Sequence, residues 1–277
     1  MTERGFFSRT GLALWAGAII GAACVLPYTL ALLSFQGAES SHVAIPRVVA
    51  LSMVQSTVLL GVMTFAGLWA ARRLGMGAPT VDAWVHGRPL PSSVGRQVLV
   101  SVVLGVSIGL ALLALDLWLC ARLSPEGVGR LLRERQPPAW MGLLASVEGG
   151  LTEEVELRLF LLSFLALGLR RVTRRSAELD APSVSSAVFW TANAVAAVLF
   201  GLGHLPITSR LVALTPAVVA RAVVQNGSLG LITGQLFRRR GIEMAMVCHF
   251  CADLVLHVAA PLAQDWLLRA APLAATG

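Results

Sequence analysis

Seven stretches of this chain, 12–35, 48–71, 97–121, 139–169, 184–204, 218–237 and 241–260, approach or exceed the roughly 20 mainly apolar residues that cross a bilayer's hydrocarbon core. That feature constrains the fold more than any other. The expected structure is an all-α polytopic membrane bundle of six to eight transmembrane helices, with Leu211–Val219 as a further short helix broken at Pro216. With 56% hydrophobic residues and 13% charged, the charges gathered between the apolar runs, the composition leaves no room for a separate soluble domain. Residues 1–277 therefore read as one integral membrane domain, with three N-terminal helices in 1–138 and the chemistry-bearing helices in 139–260.

The net charge of +7 carries no nucleic-acid signal. All 22 basic residues are arginine, and their clusters sit at helix ends: Arg72-Arg73, Arg170-Arg171 with Arg174-Arg175, and Arg238-Arg239-Arg240. No basic stripe interleaves with aromatics, so the expected surroundings are a lipid bilayer and no nucleic acid. With the N-terminus inside, 13 arginines fall on the inner segments and 7 on the outer ones, a positive-inside bias for a cytoplasmic N-terminus. Arginine without lysine, beside heavy use of Ala, Gly and Val, points to a bacterial source and the inner membrane. The first apolar run continues past 20 residues to Phe35, which reads as an uncleaved signal-anchor. Loop 72–96 reads as a surface loop or short interfacial helix, and 122–138 as an amphipathic turn along the interface. Cys248-x-x-Cys251 has no partner pair and reads as small buried apolar residues. Asp116, near the end of the third span, reads as a helix-end or packing residue.

Against this apolar background six ionisable residues stand out: Glu153, Glu154, Arg158, His204, His249 and Asp253. A charged group at the centre of a membrane helix costs about 2.5–3.5 kcal/mol on insertion scales, so each is a candidate functional residue. Arg158 follows Glu154 by four residues, which puts acid and base on one helix face in the favourable order. Glu153 is rotated about 100° away and shares its face with Gly149 and Gly150, small residues that permit close approach of a neighbouring helix or substrate. The two carboxylates thus occupy different environments, one paired and one able to serve as a general base. Phe200 lies one turn before His204, and His249 and Asp253 are again four apart. Carboxylates and imidazoles of this kind suit water activation and oxyanion stabilisation. In a strict zigzag His204 and His249 fall at different depths, so a shared site requires the fifth span to be short or displaced, or the helix after His204 to re-enter.

The ordered set E-E-x-x-x-R, F-x-x-x-H and H-x-x-x-D resembles the CPBP family, the group related to the CAAX prenyl endopeptidase and the bacterial Abi proteins. The resemblance covers about 140–260, and Arg240-Gly241-Ile242-Glu243 also looks like that family's approach to its third motif. It implies a glutamic-type intramembrane endopeptidase without a cofactor. In that reading Glu153 and His204 activate water, and His249 with the residue at 253 stabilises the oxyanion. Glu154 and Arg158 hold the site in shape. The chain departs from the pattern at Leu157 and Leu159, where relatives commonly have Phe and Gly, and at Asp253, where they often have Asn. Asp253 is expected to fix the tautomer of His249 or to orient another donor. The resemblance further implies a membrane protein or peptide as substrate, entering laterally past Gly149, Gly150, Gly201 and Gly203, with C-terminal processing or sorting of membrane-anchored precursors as the expected role. Rival readings are a zinc-dependent intramembrane protease using His204, His249, Glu153 and Asp253, a serine protease using Ser107, and a non-proteolytic immunity or transport protein.

Overall fold

The computed structural model describes residues 8–34, 44–123, 137–173 and 183–264, and the expected amphipathic turn lies almost wholly outside them. The elements are α1 (Arg9–Cys24), α2 (Leu26–Ser34), α3 (Ala44–Arg73), α4 (Pro79–Val85) and α5 (Val94–Leu123). Helix α6 starts as Ala139–Glu148, widens into π-helical stretches Gly149–Glu153 and Val155–Leu162, and returns to α-helix over Ser163–Thr173. Then come α7 (Ser186–Gly203), α8 (Leu205–Leu211), α9 (Pro216–Arg240) and α10 (Ile242–Asp253, with a π-helical continuation Leu254–Ala259). No strand occurs among the described residues.

Local chemistry sets several boundaries. Ser8, Ser185 and Thr215 are N-caps whose hydroxyls accept from Gly11, Val188 and Val218 N–H, satisfying donors that a first turn leaves open. Pro216 occupies the first turn of α9, where its missing N–H is harmless. It therefore starts a helix where a break was expected, and the short helix lies earlier, at Leu205–Leu211. Gly241 turns α9 into α10 with φ of 94°, a backbone region open mainly to glycine. The loop after α3 forms the short helix α4. Its Val81 N–H is accepted by the Glu243 carboxylate at 2.7 Å, so α10 caps α4 from outside.

Five stretches are long and apolar enough to cross a membrane: Arg9–Leu32, Pro46–Arg73, Val94–Leu119, Ser186–Arg210 and Ile242–Gln264. Helices α6 and α9 match them in length but carry more ionisable side chains, among them Glu148, Glu153, Glu154, Glu156 and Arg158 on α6. The chain is thus the all-α polytopic membrane protein its apolar runs predict. Leu51, Val54 and Val58 on α3 and Leu99, Leu110 and Leu117 on α5 face outward, as lipid-facing positions do.

Helix α6 is the axis of the bundle. Its Val155, Leu159, Leu162 and Ala166 are fully buried, against Leu14 and Ala18 of α1, Leu60 and Leu68 of α3, Phe189 and Ala192 of α7, and Ile242 and Ala245 of α10. Between apolar helices in lipid, association depends on close packing and interhelical hydrogen bonds. Both are present. A Cβ on Gly67 would sit 2.6 Å from the Leu159 carbonyl oxygen, and Thr152 Oγ1 donates to the Ala18 carbonyl at 2.8 Å. Gly105 and Gly109 of α5 abut Cys248 and Ala252 of α10 in the same way. Ser107 between them is exposed on the outer face, so the Gly-x-Ser-x-Gly string is a helix contact and no serine nucleophile. Asp116 forms a two-pronged ion pair with Arg221 at 2.5 Å, tying α5 to α9.

Candidate active site

Adjacent residues on α6 send their carboxylates to different neighbours. Glu154 is completely buried, and its Oε1 lies 3.2 Å from Nη2 of Arg158, four residues on. Arg158, itself 1% exposed, donates from Nε to Thr233 Oγ1 of α9 at 2.7 Å and lies 4.8 Å from the centre of the Phe200 ring. Glu154 Oε1 also accepts from His249 Nδ1 of α10 at 2.7 Å. Glu154 is therefore the joint between a buried guanidinium and a buried imidazole.

Glu153 faces the other way and is 20% exposed. Its Oε1 lies 3.7 Å from His204 Nε2, and its Oε2 lies 3.5 Å from His249 Nε2. Both imidazoles are turned by their other nitrogen. The Phe200 carbonyl, 3.0 Å from His204 Nδ1, can only accept, so Nδ1 carries the proton and neutral His204 presents a lone pair at Nε2. His249 Nδ1 donates to Glu154, which likewise points Nε2 at Glu153. Phe200 meets both rings edge-on, with centroids 5.0 Å from His204 and 5.7 Å from His249. His204 and His249, which a strict zigzag places at different depths, nevertheless reach the same carboxylate, and Gly201 lets α7 press against Val223 of α9.

Asp253 Oδ2 lies 3.6 Å from His249 Nε2, beyond hydrogen-bonding distance. The group that orients His249 is Glu154 on Nδ1, which corrects the expectation that Asp253 fixes the tautomer. The glycines need correction too. A Cβ on Gly149 would run into Asp253 Oδ2 and one on Gly150 would lie 3.0 Å from Phe250 Cβ, while Gly201 abuts Val223. Gly150 and Gly201 close helix contacts and Gly149 faces the Asp253 and His249 side chains; Gly203 alone of the four has open space around it.

The sequence reading missed His257, Tyr28 and Thr233. His257 Nε2 is 4.0 Å from Asp253 Oδ1, and the Tyr28 ring of α2 packs edge-on against His257 at 5.7 Å. The spacing His249-x-x-x-Asp253-x-x-x-His257 did carry a signal, since residues at i, i+4 and i+8 share a helix face. Tyr28 and Thr233 gave none, lying far away in sequence. The site thus draws on α2, α6, α7, α9 and α10. Two of its elements, α6 and α10, carry π-helical turns, irregularities that occur mostly as single turns and often at functional sites. Among the described residues no group of three or more His, Cys, Asp or Glu is arranged to hold a metal ion. A cavity of about 400 Å³ lies at the arginine-rich end of the bundle, and none of these side chains lines it.

A membrane-embedded helix bundle that gathers two glutamates, two histidines and an aspartate around a buried arginine has the makings of an intramembrane hydrolase. The comparison of sequences is more specific. Residues 135–255, a segment that contains all six residues singled out above, match the family model described as type II CAAX prenyl endopeptidase Rce1-like, which supports the CPBP/CAAX protease resemblance. The match supports a CAAX-type intramembrane protease in general character. No curated protein and no solved structure matches the chain.

Proposed function

We propose that this protein hydrolyses a peptide bond in a membrane-associated substrate with a water activated between Glu153 and His204. The observation that carries the reading is the convergence of two imidazole Nε2 atoms on one half-buried carboxylate, at 3.7 and 3.5 Å. A water held by Glu153 and the His204 lone pair gives up its proton as its oxygen attacks the scissile carbonyl. The carbonyl oxygen becomes an oxyanion. Protonated His249 donates one N–H to Glu154 and the other, at Nε2, to that oxyanion, in a water-poor site where such a donor is worth far more than in bulk water. Asp253 lends negative charge beside the same Nε2 and so supports the protonated ring. Collapse of the tetrahedral intermediate breaks the C–N bond, and the proton taken from water passes to the leaving amine. Arg158 and Glu154 touch no substrate in this scheme and position His249.

The role we propose is C-terminal processing or sorting of membrane-anchored precursors in a bacterial inner membrane. A chain made almost entirely of membrane helices has little soluble mass with which to recruit a folded partner, so a short apolar helix reaching the site laterally is the fitting substrate. Deleting the gene in its host and comparing the C-terminal peptides of membrane proteins by mass spectrometry tests this. New, longer C-termini in the deletion strain, reversed by the wild-type gene and not by Glu153→Gln, are the expected result. An unchanged set of C-termini together with altered sensitivity to peptide toxins would overturn it in favour of immunity.

A further inference from the structure

The cavity of about 400 Å³ lies away from the Glu–His cluster and has a chemistry of its own. Its walls come from the end of α3, from α4 and the loop before it, from the start of α5 and from the α9–α10 junction. Arg72, Arg238, Arg239 and Arg240 line it; Asp82 is the one acidic residue there, and it is already ion-paired with Arg88 and accepts the Thr10 hydroxyl at 2.7 Å. The lining is therefore strongly positive. Arg238 is engaged elsewhere, donating to the Val184 carbonyl at 3.3 Å with its guanidinium over Phe189. Arg240 is not so engaged: its Nη1 is buried and meets no acceptor among the described residues. A buried charged donor without an acceptor is costly unless something anionic meets it. Arginines in the last turn of a helix are favoured by the helix dipole alone, but that effect requires neither a concave pocket nor a buried unmet N–H.

Depth identifies the anion. The spans Arg9–Leu32, Val94–Leu119 and Ile242–Gln264 begin at the cavity and Pro46–Arg73 ends there, so its lining lies where four apolar stretches leave the hydrocarbon core. That is the level of lipid phosphates, and basic pockets between membrane helices at that level hold anionic headgroups. We infer that this cavity binds the phosphate of an anionic phospholipid headgroup, with Arg239 and Arg240 as its principal contacts. The same wall contains Gly241, and two residues on Glu243 accepts the Val81 N–H, so an occupant braces the turn from which the His249 helix departs. The inference does not depend on the reaction proposed for Glu153.

The test uses the full-length protein in nanodiscs of phosphatidylcholine with and without phosphatidylglycerol, read by native mass spectrometry of retained lipid and by thermal melting. Wild-type protein retains phosphatidylglycerol over phosphatidylcholine and melts higher in its presence. Arg239→Gln and Arg240→Gln each reduce that preference about fivefold, the loss expected for one basic residue at an anionic surface. Arg73→Gln, at the same end but outside the cavity, leaves the preference unchanged. Should Arg240→Gln fail to fold, the exposed Arg239→Gln decides alone. Equal losses in all three variants would overturn the site in favour of diffuse surface charge. Inorganic phosphate reproducing the stabilisation in phosphatidylcholine discs would overturn the lipid and reassign the pocket to a soluble phosphate.

Discussion

Replacing Glu154 with glutamine separates the residue that builds the site from the one that reacts in it. Glu154 is 0% exposed and Arg158 1%, with 3.2 Å between Oε1 and Nη2. Glutamine keeps the shape and can still accept from His249 Nδ1, so the change is mainly one of charge. It leaves a buried guanidinium without its carboxylate, and breaking a buried pair from one side costs about 3–5 kcal/mol. At roughly 2–4 °C per kcal/mol for a chain of this size, the melting temperature should fall by about 6–20 °C. The assay is thermal melting of the purified protein in one detergent, monitored by helix signal. Replacing both partners with residues of similar volume, Glu154→Gln with Arg158→Met, removes the stranded charge and should restore most of the loss, since an apolar substitute for a buried pair is often neutral. A melting temperature for Glu154→Gln within about 2 °C of wild type would correspond to well under the expected penalty and refute the argument.

Glu153→Gln and His204→Ala should show the opposite pattern: turnover down about 10²–10⁴-fold, the usual loss when a general base is removed, with melting within a few degrees of wild type. Retained wild-type turnover in Glu153→Gln, measured on any peptide the wild type cleaves, would sink the mechanism. Gly149→Ala should lower activity more than stability, because its new Cβ meets Asp253 Oδ2 and His249 Nε2, atoms of the site itself. Gly201→Ala should do the reverse, its Cβ lying 2.5 Å from the Val223 backbone, at a cost of about 1–3 kcal/mol for overpacking. A strong chelator should leave turnover unchanged; loss of activity that zinc restores would move the mechanism to the metal-dependent alternative.

Much was legible in the chain itself. Apolar runs of about 20 residues dictate membrane helices because lipid offers backbone groups no partners. The three short motifs stand out because ionisable side chains are expensive there. Spacing of four along a helix foretold the Glu154–Arg158 pair, and that pair is present at 3.2 Å. What spacing could not say was which helices cross at the site, since His204, His249 and Glu153 are tens of residues apart and nothing local sets the angle between their helices. Interhelical packing decided that. Glycines at 67, 105, 150 and 201 let backbones approach until Glu153 reached both imidazoles, and made contacts of positions that had read as an entrance. Tertiary structure also gave the tautomer of His249 to Glu154 in place of Asp253, because Glu154 alone sits at Nδ1 within hydrogen-bonding distance. It added His257, Tyr28 and Thr233 as well. Local sequence determines which segments enter the bilayer and which side chains are costly there; only the packing of helices against one another decides which of those side chains meet.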